Sequence, residues 1–171
     1  MALYLLFENK QLLLDMKKVT LLSFIAAFAF LFVNNTQAQD YKHALGVRVG
    51  AYNGINFKTF LNAQNALDLN LNFRSHNHYK DVLITGLYEI HNNIQNAPGL
   101  RWYYGGGASL GSSKWYDENY FFLSADGVLG LDYKFTGAPI NLALDWRPRL
   151  QLVDDVNFWT GDVGLAIRFT F

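Results

Sequence analysis

The stretch Gly161-Asp162-Val163-Gly164-Leu165-Ala166-Ile167-Arg168-Phe169-Thr170-Phe171 constrains this chain more than any other. Read with a period of two, Val163, Leu165, Ile167, Phe169 and Phe171 share one side, and Asp162, Gly164, Ala166, Arg168 and Thr170 share the other. That period belongs to a β-strand, in which successive side chains point to opposite faces. Neither face suits a soluble sheet. One is wholly apolar and closes on aromatics, and the other sets opposite charges among small residues. A strand of ~10 residues with an apolar outside and a polar inside is what a membrane-spanning barrel requires.

Composition agrees. Charged residues make up 16% of the 171, with net charge zero, below the share of about 25% usual for soluble domains. A neutral chain offers no basic field for nucleic acid. Cysteine is absent, which excludes disulfide and thiolate chemistry. Alternation hides a lipid-facing surface from any average, so a mean hydropathy near zero is no objection.

Residues 1–38 read as a leader. Met16-Lys17-Lys18 supplies a charged start, Val19 to Val33 an apolar run, and Thr36-Gln37-Ala38 a small-residue cleavage site. The true start is expected at Met16, with cleavage after Ala38 and a mature domain over 39–171. An N-terminal membrane anchor is the competing reading, but the apolar run is shorter than the ~20 residues a span needs.

From Gln39 onward alternation is broken by turn residues. Outward sets are Leu45/Val47/Val49, Ile55/Phe57/Thr59, Leu67/Leu69/Leu71/Phe73, Val82/Ile84/Gly86/Tyr88/Ile90, Leu100/Trp102/Tyr104, Leu129/Leu131/Tyr133/Phe135 and Ile140/Leu142/Leu144/Trp146. The spacing predicts an all-β, antiparallel, up-and-down transmembrane barrel of about eight strands. Keeping the first two apolar sets on one side requires a three-residue turn, Tyr52-Asn53-Gly54, with Gly54 left-handed. Short turns are expected at 62–65, 92–99 and 136–139, and loops at 75–80, 110–119 and 153–157. Pro148 cannot donate to a ladder, so a bulge or the end of pairing is expected there.

The inward phase collects charge. It holds Arg48, Lys58, Arg74, Arg101, Lys134, Arg147, Arg149 and Arg168 against Asp68, Glu89, Asp126, Asp132, Asp145 and Asp162. Buried charges must be paired to be tolerated, so a connected structural network filling the lumen is expected. On this assignment, arginine at outward Leu129 or Leu142 should be costly and at Asn70 cheap. Trp115, Tyr116, Tyr120, Phe121, Phe158 and Trp159 are expected in an outer aromatic girdle, and Trp102, Tyr104, Tyr133, Phe135, Phe169 and Phe171 in an inner one.

Signals for chemistry are weak. His76 and His78 form at most half a metal site in a polar loop. Ser109 and Ser124 face inward with no histidine evidently beside them. Gly105-Gly106-Gly107 lacks the lysine and helix of a phosphate loop. His76, His78, Trp115 and Tyr116 are left as loop residues suited to recognition.

The block Asp126-Gly127-Val128-Leu129-Gly130-Leu131-Asp132-Tyr133-Lys134-Phe135, followed by Pro139-Ile140-Asn141-Leu142 and Leu144-Asp145-Trp146-Arg147-Pro148, resembles the small outer-membrane β-barrel proteins of Bacteroidetes-type bacteria. The resemblance is tightest over 120–171. It implies an eight-stranded barrel and an outer-membrane address, and carries no catalytic residue across. The expected function is that of a non-enzymatic outer-membrane barrel, structural or binding an unidentified ligand through its loops. It would be monomeric and surrounded by outer-membrane lipid, with no cofactor, metal or nucleic-acid partner. An outer-membrane lipid- or peptide-modifying enzyme is the alternative, and a secreted carrier of a small apolar ligand the second. Mass spectrometry of the native protein should find its first residue near Gln39; an intact Met1 or Met16 would refute the leader.

Overall fold

The computed structural model describes residues 41–76, 79–115, 118–153 and 156–171. The leader expected over 1–38 lies outside the described residues.

Where the sequence alternates, it is extended. The strands are β1 (His43–Gly50), β2 (Asn53–Phe60), β3 (Asn65–His76), β4 (Tyr79–Asn93), β5 (Leu100–Trp115), β6 (Glu118–Lys134), β7 (Ile140–Trp146), β8 (Arg149–Gln151), β9 (Asn157–Trp159) and β10 (Val163–Thr170). Each of β1 to β5 pairs antiparallel with the next. β6 pairs with β7, β7 with β10, and β10 with β1, which closes the sheet on itself. β8 prolongs β7 along β6, and β9 lies against β8 before the chain enters β10. The ten segments are thus eight staves of one closed, antiparallel, up-and-down barrel.

Register follows from keeping apolar side chains on one side. Val47 lies opposite Ile55 and Ile167, Phe57 opposite Leu69, and Leu131 opposite Leu144. Val47, Ile55, Ile84, Leu129 and Ile167 all stand close to half exposed on the outer wall. An apolar surface this continuous matches hydrocarbon rather than water. At the end carrying the short turns, aromatics gather on the same wall. Trp102 stacks near Tyr104 at 5.4 Å, Tyr133 meets Phe135 at 4.8 Å, and His43 stacks on Phe57 at 6.0 Å.

Three expectations change. In the first hairpin the even pairing holds, but the last pair is Arg48 with Gly54, so the chain turns over 49–53 and Gly54 sits inside β2. Asn53 Oδ1 accepts from Gly50 N at 3.1 Å, and Gly99 and Gly137 are the glycines in the left-handed region among the described residues. The long loop expected at 110–119 is instead mostly ladder: Leu110 pairs with Leu123 and Trp115 with Glu118. Polar composition hid this, because a strand rising beyond the apolar belt alternates nothing visible. The 75–80 loop shrinks likewise, since His76 pairs with Tyr79.

The third change, an inward turn of Trp159, follows from the bulge expected at Pro148. The Pro148 carbonyl still accepts from Gly127 N at 2.8 Å, so the register with β6 runs through unbroken. On the other side, Trp146 faces Val163 while Arg149 faces Trp159. Arg147 and Pro148 therefore oppose Thr160, Gly161 and Asp162, one residue more. The N–H that proline lacks belongs to the β6 side, where only its carbonyl bonds; a bulge on the β9–β10 side absorbs the mismatch. Its consequence is a change of phase. Trp159, odd-numbered like outward Val163, turns to the inner face, where its ring meets Tyr52 at 5.6 Å and 81°. Phe158 is 63% exposed outside. The outer girdle thus loses Trp159 to the barrel mouth.

Replacing outward Leu129 or Ile167 by arginine should cost about 2–4 kcal/mol near mid-bilayer, read as a shifted midpoint in refolding titrations with lipid vesicles; phenylalanine at either site should leave the midpoint nearly unchanged.

Candidate functional site

The side chains that could carry chemistry are on the inner face, where alternation has placed them. At their centre is Asp68 of β3. Its carboxylate stands 3.2 Å from the Arg168 guanidinium, 3.5 Å from Lys58 Nζ and 3.8 Å from Arg147. Asn56 Nδ2 donates to it at 2.5 Å, and Asn70 Nδ2 donates to the same oxygen. Each of these cations has a second carboxylate. Lys58 Nζ is 2.7 Å from Glu89 and 3.9 Å from Asp132, Arg168 is 3.7 Å from Asp132, and Arg147 is 3.0 Å from Asp145. The shortest of the Lys58 contacts, to Glu89, ties β2 to β4.

Towards the loop end, Arg48 of β1 bonds Asp145 Oδ1 through Nη2 at 2.6 Å and Asp162 through Nη1 at 3.0 Å. Tyr103 donates to Asp145 Oδ2 at 3.2 Å, and its ring lies 4.4 Å from Lys58 Nζ. Two glycines make this room. A Cβ at Gly130 would sit 2.5 Å from Tyr103 Cζ, and one at Gly164 would collide with the Arg48 guanidinium. Nearer the mouth, Arg149 Nε donates to Asp126 at 3.1 Å, while the hydroxyls of Ser124 and Ser109 donate to the same carboxylate. Thr85 Oγ1 is 2.6 Å from Ser109 Oγ.

Of the residues the sequence assigned inward, Arg48, Lys58, Asp68, Glu89, Arg101, Asp126, Asp132, Asp145, Arg147, Arg149, Asp162 and Arg168 are all buried. Arg101 lies over the rings of Phe60 at 5.0 Å and Tyr41 at 5.8 Å, near the turn end. Two others stand apart. Arg74 is exposed, because Phe73 already faces Asn53, the first residue of β2, and β3 rises above that wall. Lys134 is only half-buried and caps a turn, donating to the carbonyls of Ala138 at 2.6 Å and Phe135 at 2.9 Å. Asn70 is also no tolerant site: at 2% exposure it donates to Asp68 and accepts from Asn56, so arginine there would overpack the network.

His76 ends β3 and Trp115 ends β5, while His78 and Tyr116 lie outside the described residues. Among the described residues no group of three or more His, Asp or Glu is placed to hold a metal. His91, not singled out in the sequence, bonds Glu89 at 3.0 Å and stacks on Tyr103 at 4.8 Å. Ser109 and Ser124 both donate to Asp126, whose carboxylate also accepts from Arg149 Nε. Alternation had put Asn56, Asn70, Asn141 and Tyr103 inside without revealing that they tie the charges together. At the loop end, burial raises the pKa of Tyr52 and keeps its hydroxyl a donor to Asp81 at 3.5 Å.

Asp68→Ala strips one carboxylate from three buried cations and should destabilise the barrel by about 3–5 kcal/mol. Arg74→Gln, at an exposed position, should cost less than ~1 kcal/mol. Equilibrium unfolding in micelles would separate the two.

No family model and no curated protein sequence matches the chain. Among solved structures, the barrel is similar to the N-terminal β-barrel domain of Pseudomonas aeruginosa OprF, with a TM-score of 0.59 and 18% identity over 75% of this chain and 95% of that one. It is also similar to Neisserial surface protein A (NspA), with a TM-score of 0.52 and 15% identity over 75% of this chain and 93% of that one. At such identities the likeness is one of fold, and the fold is the eight-stranded antiparallel barrel.

Proposed function

We propose that the protein is a non-enzymatic integral outer-membrane barrel, exported by the leader ending at Ala38 and closed to ion flow by its own side chains. Any recognition is left to the loop end. An address in the outer membrane of Bacteroidetes-type bacteria belongs to the same proposal, on the strength of the block around Asp126–Pro148.

One set of contacts carries it: charged pairs that cross the whole ring. Lys58 on β2 reaches Asp132 on β6 at 3.9 Å, and Arg147, just past β7, reaches Asp68 on β3 at 3.8 Å. In each pair the staves are four apart in a ring of eight, on opposite walls. An eight-stranded barrel is only wide enough for side chains to fill, and contacts this short across it support a lumen without a continuous water path. Ion pairs held by hydrogen-bonded amides also resist the rearrangement that conduction would need. The apolar outer wall disfavours the soluble-carrier alternative, since such a carrier needs its apolar face inside. The pairing of Asp126, the carboxylate on Ser109 and Ser124, with Arg149 disfavours the enzyme, because the ion pair lowers its basicity.

Single-channel recording from the purified monomer in a planar bilayer should show a silent membrane after insertion. Stable, reproducible conductance steps would overturn the closed lumen and make the protein a pore.

A further inference from the structure

Near the loop end the matched charges of the inner face give way to a cavity. It has a volume of about 140 Å³, with walls formed by Tyr52, Phe122 and Trp159 and with Arg74 and Arg149 in its lining. Gln151 and Asn157 complete the lining, which among the described residues contains two arginines and no carboxylate.

Arg149 is 3% exposed, yet its hydrogen bonds are incomplete. Nε is committed to Asp126 at 3.1 Å and Nη2 lies 4.0 Å from Asp162, while buried Nη1 has no acceptor. A guanidinium N–H left this way bears the full desolvation of a charged donor. Its Cζ is 4.8 Å from the Tyr52 ring, 5.6 Å from Phe122 and 5.9 Å from Trp159. Aromatic rings thus cover the guanidinium, and an acceptor must come to its edge. Arg74 stands over the same rings, 5.4 Å from Tyr52 and 5.7 Å from Trp159. Two cations therefore share two aromatic rings around one small cavity.

We propose that this cavity is a binding site for a small organic carboxylate on a flat body, of the size of an aromatic acid. The carboxylate accepts from Arg149 Nη1 and from Arg74, and the flat body lies against Tyr52 and Trp159. Size and charge both favour that class. A cavity of roughly 150 Å³ admits benzene. Asp126 already offsets part of the Arg149 charge, which leaves the pocket suited to one negative charge rather than two. The bulge opposite Pro148 is what makes the site, because without the extra residue Trp159 would face outward. The site builds on the reading that the loop end meets the external solution. Its rival is an aromatic lid that merely seals the lumen.

Isothermal titration of the refolded full barrel with benzoate, neutral benzamide and inorganic phosphate tests the proposal. Saturable one-site binding of benzoate is expected, with benzamide and phosphate at least tenfold weaker. Arg74→Gln should weaken benzoate about tenfold, as for one lost charge-assisted hydrogen bond. Because Arg74 is exposed, that variant keeps the test valid even if Arg149→Gln fails to fold; strand circular dichroism checks both. No saturable benzoate binding, equal binding of benzamide, or unchanged affinity in Arg74→Gln would each overturn the site. Planar-bilayer recording on the same preparation separates the two claims: a silent bilayer without benzoate binding removes only the site, and conductance with binding retained removes only the closed lumen.

Discussion

β1 and β10 pair along seven residues, from Ala44 opposite Thr170 to Gly50 opposite Gly164, and this seam is what the rest of the barrel depends on. An open sheet would leave a row of unpaired N–H and C=O groups at each edge, intolerable against hydrocarbon and hazardous in water. Closure removes both edges and creates an inside. Once there is an inside only eight staves wide, every inward side chain meets others across the ring, and every outward one must be apolar.

Inside the ring, solvation has to be replaced residue by residue. Taking a carboxylate or guanidinium out of water costs several kcal/mol even after relaxation, and single pairs rarely recover it. The barrel uses shared pairs instead. Asp68 serves Lys58, Arg147 and Arg168, and Asp145 serves Arg48 and Arg147. Amides then hold the carboxylates in place, as when Asn56 and Asn70 converge on Asp68 and Asn141 on Asp132. Such a network fixes register more than it adds stability. A one-residue slip of β3 would carry Asp68 to the outer wall.

The bulge links this scaffold to the mouth. Opposite Arg147 and Pro148 the returning chain carries one residue more, and that extra residue turns Trp159 inward over Arg149. One extra residue in one stave thus converts a girdle aromatic into a wall of the cavity. Below the cavity Ser109 and Ser124 are bound to Asp126, and further in His91 is bound to Glu89.

Alternation alone determined the fold class, the outward apolar set and the phase of inward residues such as Arg48, Lys58, Asp68 and Arg168, because a strand has a strict period of two and a membrane barrel requires opposite faces to differ in kind. It also marked Pro148 as the place where a ladder must yield. It could not give the length of β5 and β6 beyond the apolar belt, where both faces are polar and the signal vanishes. Nor could it place Arg74, whose exposure depends on how high the neighbouring β2 stands, or Trp159, whose phase depends on which strand absorbs the bulge. Which cation meets which carboxylate was likewise decided only by the stagger of the closed sheet, because the partners of Asp68 come from opposite walls and distant parts of the chain, and no local pattern couples residues that meet only when the ring shuts.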